Sequence, residues 1–360
     1  MKLLLIAASN FTGGAQKILI NLNDIFNSSG FESRIIFLKG EKNWEGKNFQ
    51  TLENKNILSK IIELRKIINQ FEPDVVISTP THINIFVIIV RMFTKCKPKL
   101  VIRQATHYSY EKKNNVGFTS YYLSLLAAKW LYQKSDKVIS LTDSMQKDLI
   151  ENIINISEKT VVLKNPTINE KEYKSRQNID LISDRIEIKR LVYIGRLSKQ
   201  KNIPLLCSVM RNLKDKGCSI HLDIYGQGDY EYLVRNEIEQ SNINATIHGF
   251  VDKPFENLTS NDLLLLVSKY EGSPNVIIES MYNYIPFIAT DCPGGPKDII
   301  NESEFGVLSK NDESSIVSNI LSITENGYSV DMLKRAKIES LKYNYSSAGQ
   351  TYIDKVLEIK

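Results

Sequence analysis

The sequence predicts an α/β protein built of two doubly wound domains in tandem. Short apolar runs alternate with longer amphipathic stretches along the whole chain, and one polar stretch interrupts them near the middle. The third observation is length, since 360 residues exceed what a single hydrophobic core ordinarily organises. In the first half, buried strands are expected at residues 2–8, 33–38, 74–79, 99–103, 137–141 and 160–163, with helical periodicity at 15–27, 57–71, 118–134 and 143–153. The pattern stops at Asn165-Pro166 and stays polar through Lys189, which predicts an interdomain linker at 166–189. It restarts with strands at 190–194, 219–225, 245–248, 262–266, 286–289 and 306–308. The expected plan is therefore two tandem Rossmann-like domains, 1–165 and 190–342, facing across a cleft, with a helix in 343–360 packing back on the N-terminal domain. Ligands of such sheets bind beyond the carboxyl ends of the strands, so the residues after each strand are where chemistry is sought.

Composition fits a soluble enzyme: 42% hydrophobic, 24% charged, no low-complexity tract. Cys96, Cys207, Cys218 and Cys292 form no CxxC pair and have no nearby histidine at metal-ligand spacing, so neither a zinc site nor a disulfide framework is suggested and a cytoplasmic location is expected. The apolar start at residues 1–8 reads as a first strand rather than a signal peptide, because it leads straight into a glycine loop and an amphipathic helix. Residues 1–165 carry 23 Lys and Arg against 14 Asp and Glu, a balance of +9 within a total of +5. That excess suits an anionic lipid surface or a lipid diphosphate, or else serves only solubility. The apolar stretch 83–93, followed by Lys95, Lys97 and Lys99, is either a bilayer-docking segment or a buried helix.

Several strand ends carry polar or glycine motifs, each with a plainer alternative. Gly13-Gly14 opens a helix after the first strand, which suits backbone approach to an anion or a simple turn. The full GxGxxG is missing and no acidic residue closes the second strand, which argues against a nicotinamide dinucleotide. Gly195-Arg196-Leu197 with Lys201 suits a diphosphate, Arg as a planar fork and Lys as a point charge, unless the pair are mere surface cations. Tyr225-Gly226-Gln227-Gly228 is a second glycine turn. The most informative segment is EGSPNVIIE, where Ser273 is expected to N-cap a helix with Pro274 at its first position. Glu271 then precedes that helix and Glu279 lies about a turn and a half inside it, so carboxylates for sugar hydroxyls flank helix-start N–H groups for phosphate.

Taken together, the Gly195-Arg196-Leu197/Lys201 pair, the Tyr225-Gly226-x-Gly228 turn and the two glutamates of EGSPNVIIE resemble the family 4 retaining glycosyltransferases of the GT-B fold. The following Asp291-Cys292-Pro293-Gly294-Gly295-Pro296 resembles a loop of members that build bacterial surface polysaccharides. The resemblance implies that Arg196 and Lys201 neutralise the leaving diphosphate, that Glu271 meets the transferred sugar, and that Glu279 meets the ribose. It further implies donor contacts by Gly14, Gly195, Gly226, Gly272, Ser273, Pro274, Asn275 and Val276, a base site at Phe250, and a histidine, His107, reaching the reacting sugar. His82 is the rival for that last role, while His221 and His248 read as structural.

On this reading the activity is hexosyl or N-acetylhexosaminyl transfer from a nucleotide diphosphate sugar, UDP-linked by default, to a sugar acceptor carried on a lipid diphosphate. O-antigen, lipopolysaccharide or capsule synthesis would be the setting, at the inner face of the membrane. The chain has no DxD triplet, so no metal and no resident cofactor are expected. The competing readings are a UDP-sugar 2-epimerase and a non-catalytic sugar-nucleotide binder. Nucleic acid is disfavoured, because no aromatic-basic motif accompanies the positive charge.

Overall fold

The computed structural model describes residues 1–9, 13–40, 48–52, 56–114, 120–171 and 183–358. They form two compact units, Met1–Asn169 with Tyr343–Lys360, and Glu170–Lys342. Of the linker expected at 166–189, residues 172–182 lie outside the described residues, as do residues 10–12 of the first glycine loop.

The N-terminal unit runs β1 (Lys2–Ala7), α1 (Gly14–Ser28), β2 (Glu32–Phe37), β3 (Phe49–Thr51), α2 (Ile57–Phe71), β4 (Val75–Ser78), α3 (Thr81–Met92), β5 (Lys99–Arg103), α4 (Tyr108–Asn114), α5 (Ser120–Leu131), β6 (Lys137–Ser140), α6 (Asp143–Asn152) and β7 (Thr160–Val162). Its parallel sheet has the order β3-β2-β1-β4-β5-β6-β7. β1 is apolar at nearly every position because both faces of such a sheet are covered. Side chains alternate across the sheet. Leu3, Leu5 and Ala7 pack with Ile18, Leu22 and Phe26 of α1, while Leu4 and Ile6 share the other core with α2, α3 and α5. Tyr352, Ile353 and Val356, near the chain's end, belong to the α1 side of this core.

One feature differs from the sequence reading, and one open alternative is decided. The short edge strand β3 was not expected, since three residues carry no readable alternation. The stretch 83–93 is almost wholly the helix α3: Ile83, Ile85, Val87, Ile88 and Val90 lie in the core, Phe86, Ile89 and Arg91 are half-buried, and Met92 and Phe93 are exposed. The buried-helix alternative thus holds for all of it but the end, Met92 and Phe93. Its apolar residues recur on all sides because α3 sits under neighbours on the sheet face.

The C-terminal unit runs β8 (Arg185–Ile186), β9 (Arg190–Ile194), α7 (Ile203–Asp215), β10 (His221–Tyr225), α8 (Glu231–Ser241), β11 (Ala245–Gly249), β12 (Asp262–Leu266), α9 (Asn275–Tyr282), β13 (Phe287–Thr290), α10 (Gly295–Ile300), β14 (Val307–Ser309), α11 (Glu313–Asn326), β15 (Tyr328–Ser329) and α12 (Val330–Ser340). Six strands form a parallel sheet in the order β11-β10-β9-β12-β13-β14, and β8 pairs antiparallel with β15. In the order of both sheets, sequence neighbours part beside the central first strand (β1 or β9), the switch point beside which α/β sheets bind ligands. The chain then returns at Tyr343 to the first unit, and α13 (Gln350–Leu357) contributes the core residues named above.

Candidate active site

In the C-terminal unit, four strand-end loops lock together backbone to backbone. After β9 and β10, Gly195 N donates to Tyr225 O at 3.0 Å and Leu197 N to Gln227 O at 3.0 Å. A Cβ at Gly226 would stand 1.9 Å from Gly195 O, and one at Gly228 would stand 2.3 Å from Leu197 O, so only glycine fits either place. After β12 and β13 the same device recurs: Glu271 N donates to Pro293 O at 3.0 Å and Gly295 N to Gly272 O at 2.6 Å. A Cβ at Gly294, where φ is +110°, would stand 2.0 Å from Glu271 O.

Side chains join the two loop pairs. Lys201 Nζ lies 2.6 Å from Glu271 Oε1, and Ser268 Oγ donates to the same oxygen at 2.5 Å. Lys269 N donates to Gln200 O, and Gln200 Nε2 to Tyr270 O, which stitches the Lys201 segment to the Glu271 segment. Glu271 is buried, yet its charge is met by a cation and a hydroxyl, the condition under which a buried carboxylate is tolerated. Arg196 is exposed, its carbonyl fixed by the Tyr193 hydroxyl at 2.9 Å. The neighbouring Cys292 thiol is pushed up to about 12, mainly by burial and then by the Glu271 charge, which keeps it protonated and inert.

One expectation is corrected at α9. The helix begins at Asn275 with Pro274 at the N-cap, and Ser273 does not cap it. Proline takes the extended cap conformation here, φ −71° and ψ 98°, and the chain turns into the helix one residue later than expected. Glu279 therefore sits about one turn inside the helix, not a turn and a half, and is buried. The Ser273 hydroxyl is left buried with no hydrogen-bond partner, beside Gly272 and ahead of Asn275 and Val276 at the helix start. An orphaned buried hydroxyl costs roughly 1–3 kcal/mol unless something arrives to meet it.

On the other flank of the sheet, Gly249 adopts φ +72° and turns the chain at Phe250, which is half exposed. His248 stacks on Tyr225 with centroids 4.6 Å apart and places Nε2 2.7 Å from Asp223 Oδ1. Burial alone would raise the Asp223 pKa, but the His248 hydrogen bond and the Arg190 guanidinium 2.7 Å away hold it below the usual carboxylate range. His248 and His221 are thus strand residues engaged with Asp223, as their positions suggested.

His107 and Gly14 lie in the N-terminal unit. Gly14 opens α1, with Gly13 as its extended N-cap. His107 lies just before α4, its ring edge-on to Tyr110 at 5.2 Å, and Nδ1 is 3.1 Å from Asp148 Oδ2. That is an ion-pair distance, with the oxygen out of line for a full N–H hydrogen bond. Asp148 also receives the Ser109 backbone N–H at 3.1 Å and the Ser109 hydroxyl. His82, in the first turn of α3, has its pKa lowered by burial. Ser268, Gln200 and Asp148 were missed in the sequence, because single polar residues in loops and helices carry no spacing signal.

The two parallel sheets, each flanked by helices, have the architecture of the GT-B fold. Residues 183–340 match the model of the glycosyl transferases group 1 family. It is 25% identical over 344 residues, covering 90% of this chain and 89% of the relative, to a Campylobacter jejuni N-acetylgalactosamine-N,N'-diacetylbacillosaminyl-diphospho-undecaprenol 4-alpha-N-acetylgalactosaminyltransferase. A second C. jejuni relative, GalNAc-alpha-(1->4)-GalNAc-alpha-(1->3)-diNAcBac-PP-undecaprenol alpha-1,4-N-acetyl-D-galactosaminyltransferase, is 23% identical across 100% of this chain and 99% of its own length. Among solved structures, Anabaena HepE in complex with UDP and glucose superposes with a TM-score of 0.82 at 16% identity, covering 99% of this chain and 100% of that one.

Proposed function

We propose that this glycosyltransferase moves a hexose or N-acetylhexosamine, with retention of anomeric configuration and without a metal, from a UDP-sugar to a lipid-diphosphate-linked glycan. The product would enter O-antigen, lipopolysaccharide, capsule or a related surface polysaccharide, made at the cytoplasmic face of the membrane. The observation that carries this reading is the Lys201–Glu271–Ser268 cluster set against the orphaned Ser273 hydroxyl at the start of α9. It joins a cation for a diphosphate, a carboxylate for sugar hydroxyls and an unmet polar group for an arriving ligand. The relatives named for undecaprenol diphosphate acceptors, and the neighbour holding UDP, support the acceptor and donor classes.

In the reaction the bond from C1 of the sugar to the β-phosphate oxygen breaks, and its electron pair leaves with UDP. Arg196 and Lys201 stabilise the charge that develops there, with backbone from Gly195, Gly226, Gly272 and the α9 start, and Gly14 serves the phosphate from the N-terminal unit. The acceptor hydroxyl bonds to C1 from the same face and passes its proton to the departing phosphate. Glu271 holds sugar hydroxyls, Glu279 the ribose and Phe250 the base, while His107 contacts the reacting sugar. Fixed cations stand in for a divalent metal in this scheme.

Purified protein with a panel of UDP- and GDP-sugars and lipid diphosphate glycans, with and without EDTA, tests it. Acceptor-dependent UDP release that survives EDTA and is lost in Glu271→Ala is the expected result. A changed sugar on the nucleotide would mean an epimerase instead, and binding without turnover would mean a non-catalytic binder.

A further inference from the structure

We propose that the outer face of α2, together with the end of α3 beside it, docks the protein on an anionic lipid bilayer. The inference deepens the proposed function by placing its membrane contact, and rests on it only for purpose, since a lipid-linked acceptor must be met at a surface. The contact itself stands on geometry.

The helix α2 is apolar on two sides. Leu64, Ile68 and Phe71 face the core, as its periodicity requires. Ile57, Leu58 and Ile62 face water, 65%, 68% and 66% exposed. Leu58, Ile62, Arg65 and Lys66 share one outward stripe by helical spacing. The next segment is fastened to that stripe: Arg65 Nε donates to Phe93 O at 2.6 Å, and Lys95 N donates to Asn69 Oδ1 at 2.8 Å. Met92 and Phe93, 54% and 60% exposed, therefore lie beside the apolar residues of α2. Lys97 is anchored next to them through Arg91 O and Met92 O.

Charge decides what covers this patch. Residues 56–72 and 92–98 hold five cations, Lys60, Arg65, Lys66, Lys95 and Lys97, against two acids, Glu63 and Glu72. Aliphatic side chains interleaved with Lys and Arg are the composition of an interfacial helix, whose apolar residues enter the acyl boundary while long cations reach the headgroups. A second copy of the chain would set five cations against five. The face is the outer side of a helix rather than a groove, so it offers no cavity for a partner's side chains.

The test uses the full chain and vesicles of phosphatidylcholine with and without phosphatidylglycerol, at low and high salt, with no donor or acceptor present. Co-sedimentation about tenfold stronger on the anionic vesicles, weakened by salt, is expected. Leu58→Asp with Ile62→Asp should lower binding on the order of tenfold, and Lys66→Glu with Lys95→Glu should lower it likewise and flatten its salt dependence. Ile338→Asp, at a 69% exposed residue of the C-terminal unit, is the control and should bind as the parent. Circular dichroism and melting should be unchanged in all of them. No preference for anionic vesicles, α2 variants that bind as the parent, or α2 variants that instead abolish a lipid-independent dimer would each overturn the proposal. Transfer to a water-soluble acceptor that persists in the α2 variants separates this surface from the active site. Vesicle binding without transfer to any acceptor would sink the enzymatic reading alone.

Discussion

The two units hold their strand-end loops by opposite means. In the C-terminal unit the loops touch backbone to backbone, with Gly226 against Gly195 and Gly294 against Glu271. In the N-terminal unit the ends of β4 and β5 are held by side chains: Thr79 Oγ1 donates to Arg103 O, Gln104 Nε2 donates to Glu111 Oε2, and the Tyr132 hydroxyl donates to Gln104 Oε1. Arg103 is fully buried and is met by Asn165 and, at 3.3 Å, by the Tyr352 hydroxyl. A backbone contact admits one residue type, whereas a polar network has many solutions. The first arrangement should therefore fail abruptly on substitution and the second by degrees.

The largest effect is expected at Lys201, the residue proposed to meet the leaving group. Lys201→Ala should lower kcat about 100-fold to 1000-fold, the usual loss of one donor aimed at developing charge, and should also lower the melting temperature, because it strips the buried Glu271 of its cation. A KM rise with kcat intact would mean that Lys201 binds the ground state and transition state equally. Next comes the lock itself. Gly226→Ala forces a methyl to within 1.9 Å of Gly195 O, which cannot yield as a side-chain tip could. Loss of about 1–3 kcal/mol of stability is expected, together with weaker UDP binding by calorimetry. Wild-type stability in that variant would show that the loops part freely and would erase the contrast between the units.

In the N-terminal unit the matching change should be milder. Tyr352→Phe removes one hydroxyl facing Arg103 and leaves Asn165 in place, so denaturant melts should shift by about 1 kcal/mol. A loss as large as that of Gly226→Ala would mean the network is as unforgiving as the glycine lock.

The same contrast explains what could be read in advance. The parallel strands were legible because both-sided burial writes them as continuous apolar runs, and the bounds of β5, β9 and β12 follow from sequence alone. Gly195, Gly226, Lys201 and Glu271 stood out because glycine turns and charged residues just after strands form motifs whose order resembles a known family's. The start of α9 was misplaced by one residue, since both Ser273 and Pro274 suit a cap and only the turn's conformation selects between them. Asp148, Ser268 and the Gln104–Glu111 pair could not be found: a polar residue's partner across the fold leaves no trace in local spacing. Stretch 83–93 was left open between a buried helix and a docking segment because an apolar helix reads alike whether neighbouring helices or lipid cover it, and the structure selects the buried helix.

The smallest expected effect compares an Asp–His pair in each unit. Burial alone would raise the Asp148 pKa, and His107 and the two Ser109 donors outweigh it, so the folded value lies below the unfolded one of about 3.9. A depressed carboxylate adds stability that is complete above the unfolded pKa and is lost as pH falls through the folded one. Asp148→Asn should thus destabilise by about 1 kcal/mol at neutral pH, and the gap to wild type should close well below about pH 4. Asp223 is depressed too, but its partners include Arg190, whose charge does not titrate in this range. The Asp223→Asn gap should close over the same acid range, and be the larger of the two at neutral pH. Urea melts at neutral and acid pH measure both. A gap at Asp148 that stays constant with pH would mean the site around His107 is held by shape alone, and the electrostatic parallel between the units would fall.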